Sequence, residues 1–450
     1  MEEAKQEGAH VAEIRGDHLE SPEILPQIVA RRPLPVLVTV RPRWEGGRWD
    51  GTEGERVRTL ESACAAGAEY VDVEFRAYKD FARHQARLVL SYHDFAGIPS
   101  ESERLISKMT GLDPFLLKFA VTARGAGDLA RCVRLQRSLR VPSSVIAMGE
   151  AGQALRILYR KYGGFMTYAS LRAGAETAEG QVPVAELAGA PLDEETEVYA
   201  VVGMPVSHSK SPVLFEAAFR ALGRNARYVR IPLEDPRLFR EVAESLDLRG
   251  ASVTIPHKER IETDERDEAS REIGAVNTVV MRGGRSLGFN TDAPAVADAI
   301  GEVEGKSVLV LGSGGAARAI AWGLSRTGAR VWVSSRSGKS LGYDLVPWTD
   351  RGGAKAEIVV NATSVGMGTD ESPYPRESWR GGMTAFDVVY TPRETRFLRE
   401  ARAAGARAIE GVEMFLRQAA LQHRLFTGEE MPERVIAGFR GSTSGTGSGR

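Results

Sequence analysis

The chain has 450 residues, which at ~100–200 residues per domain allows for two to four domains. Its 42% apolar and 26% charged residues exclude a disordered or fibrous chain, and a net charge of −1 leaves no global field to attract nucleic acid or an anionic membrane. Its two cysteines, Cys64 and Cys132, lie in helical patterns (ESACAAG, ARCVRLQ) and its seven histidines are scattered, so neither a disulfide framework nor a structural metal is expected.

The opening MEEAKQEGAH is charged and lacks the apolar core of a signal peptide, and no stretch approaches the ~18 apolar residues of a membrane span. Cytoplasmic residence is the expectation. Over the first 190 residues, short apolar runs alternate with amphipathic stretches. The strand-like runs are 11–15, 35–41, 70–74, 87–93, 115–121, 144–149 and 164–170, with helical patterns such as ERVRTLESACAAGA between them. Regular strand–helix alternation predicts a parallel α/β architecture, and the lack of a dinucleotide fingerprint favours a TIM-type barrel over a nucleotide-binding sheet.

Charged residues interrupt or end these strands, where a barrel places its chemistry. Lys118 breaks the apolar run FLLKFAV, and a lysine facing a desolvated pocket is poised to form a Schiff base. His93 ends SYH and Glu45 follows PVLVTVRPRW, a histidine and a carboxylate that could work as a general base pair. Glu13 and Arg15 lie in EIRGD; Arg41 and Arg156 could hold a substrate carboxylate.

The acidic, turn-rich GAPLDEETE (189–197) predicts a linker. A new unit begins at YAVVGMPVSHSKSP, in which Ser207 and Ser209 precede a helix, where hydroxyls can bind a carboxylate or polyol. VTIPHK places Thr254 and Lys258 after a strand, GAVNT supplies Asn277 and GFNTD supplies Asp292. A lysine and an aspartate over one substrate can exchange a proton with an alcohol or ketone oxygen.

Further along, VLVLGSGGAARAIAWGL carries a buried-strand run, then Gly312 and Gly314, then Ala317 in a helix. This is the context in which a glycine-rich loop holds a pyrophosphate on a helix N-terminus. The next strand, ARVWV, ends in Ser334, Ser335, Arg336 and Ser337 without an acid. A guanidinium flanked by hydroxyls suits a 2′-phosphate, so NADP is expected rather than NAD. A final long helix is predicted over 412–428, and GSTSGTGSGR (441–450) reads as disordered.

SHSKSP, VTIPHK, GAVNT, GFNTD and the glycine loop, in this order, resemble the shikimate dehydrogenase family over residues 198–438. The resemblance implies shikimate contacts at Ser207, Ser209, Thr254, Asn277, Tyr390 and Gln418, and a catalytic pair in Lys258 and Asp292. It implies NADP contacts at Gly312, Ser313, Gly314, Gly315, Ala316, Ser335, Arg336, Ser337, Val388 and Gly411. The chain departs from that family in having Ser252 where Asn is common, and Ser335–Arg336–Ser337 where NRT is usual.

EIRGD, VRPRWEGG, SYHDF, LLKFA, MGEAGQALR and TAEGQ resemble type I 3-dehydroquinate dehydratases over residues 8–187. That resemblance implies Lys118 as Schiff-base lysine, His93 as general acid/base and Glu45 as its partner. It also implies dehydroquinate contacts at Glu13, Arg15, Arg41, Arg156, Thr177 and Gln181.

The order of the halves resembles bifunctional dehydroquinate dehydratase/shikimate dehydrogenases, whose first product is the second half's substrate. The expected domains are the barrel at 1–190, a linker at 191–197, a shikimate-binding domain at 198–295 completed by a C-terminal helix at 412–438, a Rossmann NADP domain at 296–411 and a disordered tail at 439–450. Small-molecule substrates are expected, with no nucleic acid or membrane partner.

The barrel shows seven strands, without the family's first, where closure needs eight. An upstream start codon, a damaged barrel or another segment in the gap would each account for this. An alternative function leaves only the dehydrogenase active, with the barrel as a scaffold; another is a quinate/shikimate dehydrogenase.

Overall fold

The computed structural model describes residues 1–81, 86–188 and 192–442. They form two compact units: Met1–Val198 with Asn225–Asp247, and Tyr199–Arg224 with the chain from Leu248 onward.

The first unit is built on a parallel sheet of β1 (Ala12–Arg15), β2 (Val36–Thr39), β3 (Tyr70–Glu74), β4 (Arg87–Asp94), β5 (Leu116–Thr122) and β6 (Ser143–Met148), paired in sequence order. β2, β3 and β6 are buried throughout, as expected for parallel strands covered on both faces. Helices such as Glu53–Ala65 and Ala126–Ser138 form the cover. The first of these starts on a capping box in which Thr52 and Glu55 satisfy each other's backbone N–H groups.

The predicted strand over 164–170 is not a strand. The Ser144 hydroxyl donates to Met166 O at 2.8 Å and accepts from Met166 N at 3.1 Å, so a side chain takes the groups a ladder would use. Beyond it only an isolated bridge, Ser170 to Pro183, remains. Met166 and Tyr168 still pack inward, against Leu37, Tyr70, Val89 and Leu116. Six paired strands are therefore present among the described residues, in an open order.

Asn225–Asp247 belongs to this unit because its helix Phe239–Leu246 packs on Ala126–Ser138. Arg134 pairs with Glu241 at 2.8 Å, and Glu234 accepts from Ala126 N at 2.9 Å.

The second unit contains a mixed sheet ordered Glu265–Arg266, Arg285–Phe289, Thr278–Arg282, Leu248–Val253, Glu197–Gly203. It also contains a six-stranded parallel sheet ordered Asp344–Leu345, Arg330–Ser334, Ser307–Leu311, Ile358–Asn361, Thr384–Asp387, Arg407–Ile409. Counting from Ser307–Leu311, this is the 3-2-1-4-5-6 order of a dinucleotide-binding fold.

The linker expected at 191–197 is a turn over 192–196 that enters a strand at Glu197; residue 191 lies outside the described residues. The expected single C-terminal helix over 412–438 is instead two, Gly411–Thr427 and Glu433–Ser442. Gly428, at φ 78°, ends the first in a left-handed cap. The tail expected to be disordered from 439 is helical to 442, because the Phe439 ring packs tilted on Phe415 at 5.5 Å and Arg440 pairs with Glu413 at 2.9 Å. The rest of that tail, 443–450, lies outside the described residues.

Two candidate active sites

In the first unit, neighbouring parallel strands bring charged side chains to one cavity. In the register, Thr39 faces Asp72, Glu74 faces Ser91 and Ser91 faces Lys118. Lys118 Nζ, almost fully buried, lies 2.9 Å from Asp72 Oδ2 and 4.0 Å from Glu13 Oε1. Asp72 also accepts from Ser91 Oγ at 2.5 Å and from Arg41 Nη2 at 3.1 Å, and Glu13 accepts from Thr39 Oγ1 at 2.9 Å.

His93 is held by Glu45 and Arg41. Glu45 Oε1 accepts from His93 N at 2.8 Å and lies 3.1 Å from its Nδ1, while Arg41 Nη1 lies against both ring nitrogens, 2.6 Å from Nε2 and nearer still to Nδ1.

These contacts set the charge states. Burial works against the Lys118 ammonium, but the Asp72 carboxylate outweighs it and pushes the lysine up to about 12. Burial alone would raise Asp72; Lys118 and Arg41 hold its carboxyl below the usual range instead. Burial, then the Arg41 and Lys118 charges, keeps His93 well below its ordinary value, so it is neutral and basic in form. Burial, with the Glu74 charge, lifts Glu45 to about 7.

Glu13, Arg15, Arg41, His93, Lys118, Arg156, Thr177 and Gln181 all line this cavity, and Glu45 stands behind His93. Arg156, lowered to about 10 by burial, bonds to three backbone carbonyls: Ala147, Tyr168 and Glu179. Thr177 N donates to Gln181 Oε1 at 2.8 Å. Sequence reasoning missed Asp72, Glu74 and Tyr168. The signal was available for the acids: YVDVE puts two carboxylates at alternate positions of an otherwise apolar buried strand.

In the second unit a cavity of about 470 Å³ collects Ser209, Thr254, Lys258, Asn277, Asp292, Tyr390 and Gln418 with Gly314, Gly315, Ala316, Val388 and Gly411. Lys258 Nζ lies 2.6 Å from Asp292 Oδ2, at the start of the helix Asp292–Ile300. Asn277 is fixed by Thr291, donating to its Oγ1 at 2.9 Å and accepting from its N at 2.8 Å.

Ser207 is exposed and does not line this cavity, nor do Gly312, Ser313, Ser335, Arg336 and Ser337. The three serines form a cluster of their own, Ser313 Oγ to Ser337 Oγ at 3.0 Å and Ser335 Oγ to Ser337 Oγ at 3.3 Å, beside exposed Arg336.

Sequence reasoning missed Gln422. Its amide accepts from Ser252 Oγ at 2.6 Å and donates to Asn277 O at 3.1 Å and Thr278 Oγ1 at 3.0 Å. Four residues beyond Gln418 on one helix, it shares that residue's face.

The glycine loop fits a dinucleotide. Gly312 has φ 126°, and a Cβ there would stand 2.9 Å from Ala362 O. A Cβ on Gly314 would meet nothing within 4 Å, and the helix Gly315–Arg326 begins with no side-chain cap, leaving its N–H groups available to a pyrophosphate.

An open-sheet lysine site and a dinucleotide-binding fold with a lysine–aspartate pair define a two-enzyme chain, a lyase joined to an oxidoreductase. The family models agree: Type I 3-dehydroquinase matches residues 1–190, the shikimate dehydrogenase substrate binding domain 201–279, and the shikimate 5′-dehydrogenase C-terminal domain 411–437. The chain is 34% identical to the chloroplastic bifunctional 3-dehydroquinate dehydratase/shikimate dehydrogenase of Arabidopsis thaliana, covering 96% of this chain and 80% of that protein. It is 39% identical to the shikimate dehydrogenase (NADP(+)) of Pyrococcus abyssi, over 52% of this chain and 92% of that one. Among solved structures, the shikimate 5-dehydrogenase of Thermus thermophilus in complex with NADP(H) and shikimate matches 55% of this chain and 99% of its own, at 37% identity and TM-score 0.50. The chain belongs to the bifunctional 3-dehydroquinate dehydratase/shikimate dehydrogenase family.

No helix among the described residues is long and apolar enough to cross a membrane.

Proposed function

We propose that the first unit dehydrates 3-dehydroquinate through Lys118 and the second reduces the resulting 3-dehydroshikimate through Lys258 and Asp292. The observation that carries this reading is the presence of both kinds of site in one chain: a buried lysine beside a neutral histidine, and a lysine–aspartate pair beside a dinucleotide loop.

In the first site Lys118, charged beside Asp72, passes its proton to neutral His93; the freed amine adds to the substrate ketone, and return of that proton carries the oxygen off as water, leaving an iminium that draws electrons from C2. Neutral His93, steadied by Glu45 and Arg41, takes the C2 proton and delivers it to the C1 hydroxyl, which leaves as water. Hydrolysis frees 3-dehydroshikimate and returns the amine. Arg41, Arg156 and Gln181 bind the substrate's carboxylate and hydroxyls.

In the second site, Ser209, Thr254, Asn277, Tyr390 and Gln418 orient the ring, and Lys258 gives its proton to the ketone oxygen as charge grows there. Asp292 holds the lysine in line. NADPH, when bound, supplies the hydride. Residues Gly312–Ala316 hold its pyrophosphate, Arg336 and the flanking serines its 2′-phosphate, and Val388 and Gly411 its nicotinamide end.

The domain boundaries at 190 and 295 and residence in the cytoplasm are part of the same proposal; limited proteolysis and cell fractionation check them. The direct test is a coupled assay. Intact protein given 3-dehydroquinate and NADPH should oxidise NADPH and accumulate shikimate. Turnover of 3-dehydroshikimate without turnover of 3-dehydroquinate would leave only the dehydrogenase, and a large preference for the quinate couple would replace its substrate.

A further inference from the structure

The Tyr168 phenol oxygen is buried beside the Lys118 ammonium, which can only donate to it, and no acceptor among the described residues takes the phenol's own proton. A buried donor without an acceptor costs about 1–3 kcal/mol, and native proteins keep few of them without a reason. This one stands at the reacting lysine. Lys118 Nζ lies over the Tyr168 ring, 4.2 Å from its centroid, and Tyr168 lines the same cavity as His93, Arg156 and Thr177. The ring packs against two apolar clusters, Ala120, Ile146 and Met148, and Leu37, Tyr70, Val89 and Leu116. Burial pushes the phenol up to about 12, so at neutral pH it keeps its proton and is a donor.

The cation–ring contact needs only the aromatic face, which phenylalanine would supply equally well. The hydroxyl adds a donor with nothing to bond in the protein, next to the nitrogen that attacks the substrate. We propose that the Tyr168 hydroxyl donates a hydrogen bond to the substrate's ketone oxygen while Lys118 adds to the carbonyl carbon.

As the Lys118 lone pair forms the C–N bond, the C–O π pair moves onto oxygen. Lys118 first passes its ammonium proton to neutral His93; after attack the oxygen takes the surplus proton from the Lys118 nitrogen to give the carbinolamine, and leaves as water with the proton that His93 returns. Tyr168 retains its own proton and stabilises the charge as it develops. The inference rests on Lys118 being the Schiff-base lysine.

Tyr168→Phe tests it by removing one oxygen while keeping the ring. The dehydratase kcat/KM should fall by roughly 10- to 100-fold, the scale of losing one such donor. The rate at which borohydride traps an adduct of 3-dehydroshikimate on the protein should fall with it. Thermal stability should hold or rise, because a buried donor without an acceptor is gone. Unchanged kcat/KM and trapping rate would overturn the proposal; so would a loss of activity that tracks a lower Tm, which would make Tyr168 a packing residue. If the unsubstituted protein yields no trapped adduct, the Schiff-base reading itself fails; a wild-type adduct that forms equally fast in the variant rejects Tyr168 alone.

Discussion

Both proposed active sites pair a lysine with an aspartate, yet they are built in opposite ways. Lys118 is 6% exposed and sits among Asp72, Glu13, Arg41, His93 and, a layer further out, Glu45 and Glu74. Lys258 is 18% exposed and has Asp292 as its ion-pair partner in the lining of a larger cavity. A lysine that becomes a covalent partner has to be desolvated and then relieved of its charge, which takes a surrounding network that can redistribute protons. A lysine that only hands a proton to an oxygen needs one carboxylate to aim it and access to a bound cofactor.

That contrast predicts separable failures. Lys118→Ala should abolish dehydration, by roughly 10⁴-fold or more, since it removes the nucleophile itself. Reduction of 3-dehydroshikimate by the same variant should be unchanged; equal loss of both activities would break the separation. Lys258→Ala should lower reduction by about 10²–10⁴-fold, the scale of a general acid, while NADPH binding measured by fluorescence titration stays near wild type. A matching loss of NADPH affinity would turn Lys258 into a cofactor contact.

Arg336→Ala should weaken NADPH by about 10- to 100-fold and leave NADH unaffected, because a guanidinium–phosphate pair is worth about 1.5–3 kcal/mol. An unchanged preference would remove Arg336 from the 2′-phosphate site.

The smallest expected effect is on stability. Glu45 and Glu74 are raised to about 7 from 4.5, Glu45 by burial and then by Glu74, and Glu74 by burial and then by Asp72. A carboxyl whose folded value is raised keeps its proton in the folded state while the unfolded chain releases it. The contribution of each therefore falls as pH rises from about 4.5 to about 7. Asp387 in the second unit, raised to about 7 mainly by burial, acts in the same direction. The buried histidines His93 and His423, lowered from 6.5, act the other way below about pH 6.5, so the carboxyl contribution is read as a difference: the Tm advantage of wild type over Glu74→Gln should shrink as pH rises from about 4.5 to about 7. A difference that does not change with pH, or that grows, would contradict the Glu74 assignment.

Much of this was legible in the sequence because the chemistry sits in contiguous motifs. Gly312 and Gly314 stand between an apolar run and a helix, and SHSKSP, VTIPHK and GFNTD each sit where a strand gives way to a loop or helix. What escaped notice was fixed by partners far along the chain. Asp72 and Glu74 stand out as two carboxylates in an apolar strand, but the partner of Asp72 is visible only when β5 brings Lys118 to it, 46 positions later. Gln422 gains meaning only from Ser252, 170 positions away. The run 164–170 reads as a strand by composition, but a serine hydroxyl on β6 outcompetes the ladder, which no local pattern signals. The final helix escaped because its ordering contacts, Phe439 on Phe415 and Arg440 on Glu413, reach back to the preceding helix.

The open six-stranded sheet makes the first site the harder of the two claims, and covalent trapping tests it most directly. Intact protein is incubated with 3-dehydroshikimate and borohydride, digested and analysed by mass spectrometry. A reduced adduct is expected on the peptide carrying Lys118 and absent from Lys118→Ala. Protein that still reduces 3-dehydroshikimate with NADPH yet carries no adduct at Lys118 would contradict it.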